Sequence, residues 1–193
     1  MTTLLLVRHG ETDWNRDGRW QGHSDTQLND AGRAQARRVA GELGDVDVIY
    51  SSDLARARET AKIIAAQLGD IEVNVDNRLR ERSFGAWEGR TGPEIEADFA
   101  EQHARWRAGD GAGADDAEAF EAFGDRVRDF LEDVLARHPG ETVVVVAHGG
   151  PIRVIHAVAS GLDYVRDHRS IPGVPNCAVA RYAAGDGKLA PID

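Results

Sequence analysis

Short apolar runs alternate along the chain with longer amphipathic stretches. The run at residues 142–147 is the strongest of them, because it contains four consecutive valines. Continuous apolar runs of this length are typical of strands that are covered on both faces of a sheet. Six runs predict strands: Thr3–Val7, Val46–Tyr50, Ile71–Val75, Thr142–Ala147, Asn176–Tyr182 and Lys188–Ile192. The third run is weak, and the last is a candidate edge strand.

Between these runs, small and apolar residues recur every three or four positions, which is the spacing of one helical face. This pattern predicts four helices: Leu28–Leu43, Asp53–Leu68, Phe120–Leu135 and Pro151–Ala159. Asp53 is a predicted N-cap and Gly69 a predicted stop of the second helix. Strands that alternate with helices indicate an α/β fold, a three-layer α/β/α sandwich around a mostly parallel sheet.

Residues 80–119 interrupt this alternation, because they contain no strand pattern. Pro93–Trp106 predicts a helix, and the glycines at 109, 111 and 113 predict a flexible loop. We interpret the segment as a small helical cap insertion over one end of the sheet. With 193 residues the chain has the usual size of one domain, so we predict a single domain over residues 1–193.

The charge balance is acidic, with 33 Asp and Glu against 23 Lys and Arg and a net charge of −10. Such a chain repels a nucleic-acid backbone unless a local basic face overrides the total, and the sequence contains no basic run. We therefore expect no nucleic-acid partner. An anionic substrate would require the positive charge to be concentrated in one pocket.

Segments for targeting or membrane insertion are not evident. Each apolar run is far shorter than the roughly 20 residues of a membrane span, so we expect no membrane association. Met1-Thr2-Thr3 lacks the basic region that opens a signal peptide. Cys177 is the single cysteine, so the chain forms no internal disulfide. These features predict a cytoplasmic protein.

Two histidines follow predicted strands. His9 comes directly after the first strand and Arg8, and His148 comes directly after the valine strand. Each precedes a glycine, and ligands of open α/β sheets bind beyond the carboxyl ends of strands. If the two strands are neighbours, the imidazoles face each other across about one strand spacing, ~5 Å. A single histidine of this kind is often a core or capping residue, but the pair indicates a site.

Arginines follow the second predicted strand. Arg56 and Arg58 lie in the first turn of the next helix, where free N–H groups and the helix dipole favour anions. Residues two apart on a helix diverge by about 200°, so a regular helix directs one of the two into a pocket. Histidine and arginine together suit phosphoryl transfer through a phosphohistidine. The leaving oxygen needs an acid, for which four carboxylates are candidates: Glu11, Asp13, Glu81 and Glu88.

A metal site is the main chemical alternative. His9 and His148 could join carboxylates around a metal ion, although two arginines in the same pocket would repel a divalent cation. The sequence contains no His-x-x-x-His helix, no cysteine pair and no calcium loop. It also lacks the phosphate loops of nucleotide-binding folds and the Gly-x-Ser-x-Gly motif of serine hydrolases.

The motifs resemble those of the histidine phosphatase superfamily, the phosphoglycerate mutase-like family. The similarity begins with Leu5-Leu6-Val7-Arg8-His9-Gly10-Glu11-Thr12 and Asn15, and matching blocks run in order from residue 4 to about 155. Four further blocks carry it: Gly18–Gly22, Ser51–Ala61, Leu79–Gly89 and Val146–Gly149. The resemblance implies the fold of that family and an enzyme of the histidine acid phosphatase type.

The resemblance also implies roles for individual residues. His9 would be the phosphorylated nucleophile, and Glu81 would be the proton donor and then the base for water. Three side chains would grip the phosphoryl group: Arg8, Arg56 and His148. Four residues would line the phosphate site: Asn15, Gln21, Gly22 and Gly149. Arg58 would be a secondary substrate contact. The family implies no metal or organic cofactor, and homo-oligomers are common among its members.

The sequence favours a phosphatase over a mutase. The stretch 91–121 holds nine acidic residues against two arginines, whereas a mutase needs extra cations beside its first phosphate. Gly150 stands where mutases tend to place asparagine. We therefore predict hydrolysis of a small phosphorylated metabolite, with a mutase-type phosphotransferase as the alternative. A catalytically silent phosphate-binding or scaffold protein is the second alternative. The acidic stretch also argues against highly phosphorylated substrates.

Overall fold

The central feature of the computed structural model is a six-stranded sheet. The structure describes residues 1–109, 111, 113–185 and 188–192. The strands are β1 (Thr2–Arg8), β2 (Val48–Ser51), β3 (Val73–Val75), β4 (Thr142–Ala147), β5 (Val179–Gly185) and β6 (Lys188–Pro191). Their order is β3-β2-β4-β1-β5-β6. The first four are parallel, and β5 and β6 each run antiparallel to the preceding neighbour.

Helices cover both faces of this sheet. They are α1 (Asp13–Arg16), α2 (Asp30–Ala40), α3 (Ala55–Gln67), α4 (Gly92–Asp98), α5 (Ala100–Ala108), α6 (Phe120–Arg137), α7 (Gly149–Ser160) and α8 (Tyr164–Asp167). Leu5 and Val7 of β1 pack in one core with α2 and α3, and the alternate residues Leu4 and Leu6 pack in another with α6 and α7. Because neighbouring residues of a strand point to opposite faces, one apolar run supplies both cores. The predicted three-layer α/β/α sandwich is therefore confirmed.

The segment 80–119 forms a small aromatic core of its own. Trp87, Ile95 and Ala114 are buried at its centre, and Trp20 and Trp106 pack around them. The predicted helix Pro93–Trp106 is two helices, α4 and α5, which are separated at Phe99. Of the predicted glycine loop, positions 110 and 112 lie outside the described residues.

The predicted N-cap at Asp53 is wrong. Helix α3 begins at Ala55 with Leu54 as its N-cap, and Leu54 provides no side-chain acceptor. The Ala55 N–H donates instead to the Asp25 carboxylate at 2.6 Å. Asp53 forms an ion pair with Arg80, whose guanidinium lowers the pKa of the Asp53 carboxyl. The Asp53 carboxylate thus pairs with Arg80, which is distant in sequence, and does not cap the adjacent helix α3.

The start of the fifth strand also differs from the prediction. The fifth strand starts at Val179 and not at Asn176, because Cys177 adopts a left-handed backbone conformation with φ of 54°. This conformation breaks an extended strand.

Among the described residues, no helix is long and apolar enough to span a membrane. The cytoplasmic location stays a prediction from the sequence.

Candidate active site

The two predicted histidines meet at the carboxyl edge of the sheet. Strands β1 and β4 are parallel neighbours with Arg8 opposite Ala147, so the residues that follow each strand emerge side by side. The ring centroids of His9 and His148 lie 5.0 Å apart. This distance agrees with the expected single strand spacing. Both side chains are buried, so the pair lies below the protein surface.

Local hydrogen bonding defines the tautomer of His9. Its Nδ1 lies 2.7 Å from the carbonyl oxygen of Gly10. A carbonyl accepts hydrogen bonds and cannot donate them, so Nδ1 carries the proton and Nε2 carries the free lone pair. Burial, reinforced by the charges of Arg56 and Arg8, holds the pKa of His9 well below its ordinary value. His9 is therefore a neutral imidazole with one nitrogen available for bonding.

His148 completes the pair from β4. Its Nε2 lies 3.0 Å from the Ser52 hydroxyl, and its buried Nδ1 has no partner among the described residues. Burial and then the charge of Arg56 lower the pKa of His148 well below its ordinary value. A buried nitrogen without a partner costs free energy, which a ligand with acceptor oxygens would relieve.

Arg8 and Arg56 bring positive charge to the histidines. Arg56 is fully buried, and its terminal nitrogens donate to the carbonyls of Ser24 and Gly22 at 2.7 Å. Arg8 donates to the carbonyl of Val174. In both arginines the buried Nε has no partner among the described residues. Burial lowers the pKa of Arg56 to about 10, so the guanidinium stays charged at neutral pH.

A cavity of about 300 Å³ opens beside His9, and we call it the histidine chamber. Six predicted site residues line it: Arg8, His9, Asn15, Gln21, Gly22 and Arg56. Glu81 lines it as well. Gly149 lines a second, adjoining cavity of about 350 Å³, the arginine chamber. Arg58 lines neither chamber and is exposed, so the expected divergence of Arg56 and Arg58 on a regular helix is observed.

Two amides lining the histidine chamber have fixed orientations. Oδ1 of Asn15 accepts the Thr12 N–H at 3.2 Å within a capping box, and Oε1 of Gln21 accepts the Thr26 hydroxyl at 2.6 Å. The amide oxygens are therefore occupied by donors of the protein. The amide nitrogens remain as donors for an anion in the chamber.

Glu81 stands where the two chambers join, since it lines both of them. Its carboxylate accepts the backbone N–H groups of Gly150 at 3.1 Å and Arg82 at 2.9 Å. A Cβ at position 150 would come within 2.0 Å of the Glu81 carboxylate, so glycine is required for this contact. Arg126 fixes the loop by donating to the carbonyls of Arg80 and Glu81 at 2.8 and 2.9 Å.

The three rival carboxylates have other partners. Glu88 accepts hydrogen bonds from the N–H groups of His23, Ser24 and Phe84 and from the hydroxyls of Ser24 and Ser83. Its carboxylate is therefore engaged in holding two loops together. Glu11 and Asp13 line a separate surface cavity. Among the four candidates, Glu81 alone lines the chambers in the part of the chain that the structure describes.

Five of the nine acidic residues in the stretch 91–121 pair with neighbouring cations or amides. Four ion pairs involve them: Arg19–Glu94, Arg90–Asp98, Arg105–Asp115 and Arg126–Glu118. Asp116 accepts the N–H of Ala86 at 2.9 Å. None of the described acidic residues of this stretch lines either chamber, so the acidic composition does not describe the chamber walls, and the argument against highly phosphorylated substrates stays a prediction from composition.

Sequence reasoning missed Asn176. Its Nδ2 donates to the carbonyl of His9 at 2.9 Å and to Oδ1 of Asn15 at 3.3 Å. The next residue, Cys177, donates its N–H to the carbonyl of Arg8 at 2.9 Å. Residues 174–178 thus close over Arg8 and His9 from the opposite end of the chain. The feature that could have pointed to Asn176 is the left-handed backbone conformation of Cys177, which the sequence pattern does not reveal.

Replacement of Asn176 by alanine should reduce kcat about 10- to 100-fold with a small change in KM. The variant frees the His9 backbone and one side of Asn15, so the imidazole is less well aligned, while the residues that grip the ligand remain. Steady-state kinetics measures both constants. Asn74→Ala is the matched control, because Asn74 is exposed and makes one long hydrogen bond far from the site. An unchanged kcat would remove Asn176 as a positioning residue.

The free energy of unfolding should fall as the pH is lowered from 7 to 5. His9 and His148 remain neutral in the fold, because burial holds both pKa values well below 6.5, whereas each binds a proton near pH 6.5 in the unfolded chain. Below that pH the unfolded state binds more protons, so stability decreases by about 1.4 kcal/mol per pH unit for each histidine.

Urea unfolding at several pH values measures this slope. The double substitution of His9 and His148 by asparagine should make the slope of the unfolding free energy against pH shallower by the contribution of two protons. This expectation holds whatever the effect of the substitutions on the absolute stability. An identical slope in the double variant would show that the two imidazoles are protonated in the folded protein.

The fold and the site together define an α/β protein that presents a neutral histidine, the buried Arg56 and the half-buried Arg8 at the edge of a mostly parallel sheet. Such a donor set is suited to a phosphoryl group. The model of the histidine phosphatase superfamily (branch 1) matches residues 4–190. The chain belongs to this family.

Two relatives and one solved structure that are similar to this chain support the same family. Phosphoglycerate mutase-like protein 4 of Arabidopsis thaliana is 42% identical over 162 residues, which cover 79% of this chain and 69% of the relative. Phosphoserine phosphatase 1 of Hydrogenobacter thermophilus is 38% identical over 166 residues, covering 84% of this chain and 78% of the relative. A solved mycobacterial glucosyl-3-phosphoglycerate phosphatase in complex with VO3 has a TM-score of 0.88 and 33% identity, covering 98% of this chain and 96% of that one.

These findings confirm the predicted family, the fold class and the histidine phosphatase type of enzyme. The individual roles of the site residues stay predictions at this point, since they follow from geometry and from the family motif.

Proposed function

We propose that this chain is a phosphatase that hydrolyses a small phosphorylated metabolite through a phosphohistidine on His9. One observation carries the proposal: the neutral His9 has Arg8, Arg56 and His148 as neighbours, and each of them keeps one buried side-chain nitrogen without a partner among the described residues, namely Arg8 Nε, Arg56 Nε and His148 Nδ1. A phosphoryl group offers the acceptor oxygens and the negative charge that these donors lack. The phosphatase names of the relatives support the same reaction class.

In the first step, Nε2 of His9 attacks phosphorus and forms an N–P bond. The P–O bond to the leaving group breaks, and its electron pair stays on the leaving oxygen. Glu81, in its protonated form, transfers a proton to that oxygen, so an alcohol leaves. Arg8, Arg56 and His148 donate to the non-bridging oxygens, whose charge is spread in the transition state.

In the second step, a water molecule replaces the alcohol. The Glu81 carboxylate removes a proton from this water, and the oxygen attacks phosphorus. The N–P bond breaks, its electron pair returns to Nε2 of His9, and inorganic phosphate leaves. Glu81 ends this step protonated, ready for the next cycle, so one group acts first as acid and then as base.

We further propose that no metal ion takes part. Arginine and histidine donors surround the position of the phosphoryl group and supply the charge stabilisation that a divalent cation provides in metal-dependent phosphatases. Among the described residues, no group of three His, Cys, Asp or Glu side chains could hold a metal ion. The buried guanidinium of Arg56 would also repel a cation in the histidine chamber.

Phosphate release in the presence of EDTA tests the proposal. A panel of phosphomonoesters that includes 3-phosphoglycerate is incubated with the enzyme, and inorganic phosphate and the 2-phospho isomer are measured in the same samples. Phosphate release that survives EDTA is the expected result. Isomer formation without phosphate release would instead identify the mutase alternative, and binding without any product would identify the silent alternative. Loss of release on chelation would overturn the metal-free mechanism.

A further inference from the structure

His148 can serve a phosphoryl oxygen only as a hydrogen-bond donor. A phosphoryl oxygen offers lone pairs and negative charge, so the ring nitrogen that meets it must carry a proton. The ring has one proton to place, because burial and then the charge of Arg56 hold the pKa of His148 well below its ordinary value. Nδ1 has no partner among the described residues, whereas Nε2 lies 3.0 Å from the Ser52 hydroxyl. The role of His148 therefore requires the proton on Nδ1 and a bare Nε2.

Sheet topology brings Ser52 to this ring. Strand β2 ends at Ser51, which lies opposite Val146 of the parallel neighbour β4. The Ser52 N–H donates to the Val146 carbonyl at 3.0 Å, and His148 follows two residues after Val146. Ser52 and His148 are both fully buried. The hydroxyl and the ring nitrogens must therefore find their partners within the protein or in a bound ligand.

The hydrogen bonds around the Ser52 hydroxyl decide its direction. Its oxygen accepts the Leu54 N–H at 3.3 Å, just before helix α3. When the hydroxyl proton is directed to Nε2 of His148, the oxygen accepts one hydrogen bond and donates another. If Nε2 donated instead, the oxygen would accept twice, and the buried hydroxyl proton would have no acceptor among the described residues. An unpaired buried donor is costly, so the Ser52 hydroxyl donates to a bare Nε2.

Nδ1 of His148 has no competing use in the adjoining helix. His148 is the N-cap residue of α7, a position from which a side-chain acceptor often binds a free N–H of the first turn. The His148 side chain forms no such cap hydrogen bond. The N–H of Gly150 in that turn donates instead to the Glu81 carboxylate at 3.1 Å. A bare Nδ1 would therefore gain nothing from the helix, whereas a protonated Nδ1 is available to a ligand.

We propose that Ser52 is a positioning residue that fixes the tautomer of His148, so that Nδ1 carries the proton for the phosphoryl oxygens. The role of Ser52 rests on the proposed phosphatase function, and Ser52 acts through His148. The arrangement complements that of His9, whose Nδ1 is anchored by the Gly10 carbonyl. The carbonyl anchor leaves His9 a bare Nε2 as the nucleophile, and the hydroxyl anchor leaves His148 an N–H as the donor. Both rings hold the same tautomer, but they offer opposite functions to the phosphoryl group.

Nitrogen-15 NMR of the histidine rings tests the tautomer without requiring turnover. Two-bond correlations to the ring protons distinguish a protonated nitrogen from a bare one, and His148→Asn assigns the signal by removing it. In the unmodified enzyme we expect Nδ1–H and a bare Nε2 at His148, both with and without inorganic phosphate. In Ser52→Ala a signal of the Nε2–H tautomer should appear. An Nε2–H tautomer in the unmodified enzyme without phosphate would overturn the proposal, as would an unchanged tautomer in Ser52→Ala.

Hydrolysis of p-nitrophenyl phosphate measures the consequence for catalysis. Ser52→Ala should lower kcat/KM about 10- to 100-fold, the size of one lost hydrogen bond to a charged group. Ser52→Thr keeps the hydroxyl and should recover most of this loss. Ser51→Ala is the matched control, because Ser51 is also fully buried but its hydroxyl donates to the Ser52 carbonyl at 2.8 Å and not to a histidine. Ser51→Ala should keep the normal rate and the normal tautomer, and an equal loss in both alanine variants would overturn the proposal.

Failure of the proposed function would have a different signature. Absence of phosphate release from every phosphomonoester with the unmodified enzyme would contradict the phosphatase itself. Normal release with His148 in the Nε2–H form would overturn the role of Ser52 alone. Thermal unfolding shows whether each variant is folded, and if Ser52→Ala is not, the tautomer of the unmodified enzyme still decides.

Discussion

Replacement of His9 by alanine should lower the rate of phosphate release by at least about 10⁴-fold. The neutral Nε2 is the atom that forms the covalent bond, and without it water must attack phosphorus directly. His148 cannot substitute, because its Nε2 is engaged with Ser52 and its ring lies on the neighbouring strand. Rapid quenching at basic pH followed by intact mass spectrometry should detect one added phosphoryl group on the unmodified enzyme and none on the variant.

His156→Ala is the control for this experiment. His156 is a partly buried histidine of α7 that hydrogen-bonds to the Tyr182 hydroxyl at 2.9 Å and lines neither chamber. It should retain both turnover and the phosphoenzyme. If the His9 variant still accumulated a phosphoenzyme at the normal rate, the nucleophile would be another residue.

Replacement of Glu81 by glutamine should separate the two chemical steps. With an alkyl phosphate, phosphorylation of His9 should slow about 10²- to 10⁴-fold, since the alkoxide leaves without a proton. With p-nitrophenyl phosphate the phenolate leaves readily, so phosphorylation should change little. The hydrolysis of the phosphohistidine that follows still lacks the Glu81 carboxylate as its base. A stopped-flow trace should therefore show a burst of nitrophenolate and then slow turnover.

Glu88→Gln provides the contrast within the same loop. The Glu88 carboxylate accepts five hydrogen bonds from protein groups, so its loss should lower the melting temperature. The dependence of phosphorylation on the leaving group should stay as in the unmodified enzyme. If phosphorylation of Glu81→Gln slowed equally for both substrates, Glu81 would not be the proton donor.

The placement of the histidines could be predicted from sequence because it depends on topology. Parallel strands that are neighbours end at one edge, and His9 and His148 each follow such a strand directly. The choice between Arg56 and Arg58 likewise needed helical geometry and the family motif. The positions of these residues at the end of a strand or the start of a helix follow from local spacing, which the sequence displays, whereas the pairing of β1 with β4 was a condition of the prediction that the structure meets.

The choice between Glu81 and Glu88 depends on contacts that local spacing does not contain. The two carboxylates lie in one loop, and Glu88 is excluded because donors from 23–24 and 83–84 surround it. The same limitation explains Asp53, whose partner Arg80 lies beyond the helix, and insertion residues such as Asp98 and Asp115, whose arginine partners are set by the fold. Composition gives the number of charged residues, but the ion pairs formed in the fold determine which of these charges can contact a ligand.

The central position of β1 has a consequence for biosynthesis. Thr3 pairs with Thr142 and Val7 with Val179, so both neighbours of this amino-terminal strand are made late. At about 5–20 residues per second, the first neighbour emerges roughly 7 to 28 s after β1 itself. Throughout that interval the apolar segment Leu4–Val7 remains an unpaired, aggregation-prone sequence. A nascent chain therefore needs shielding for much of its synthesis, and a ribosome-bound chain that stops before residue 142 should bind a hydrophobic-segment chaperone.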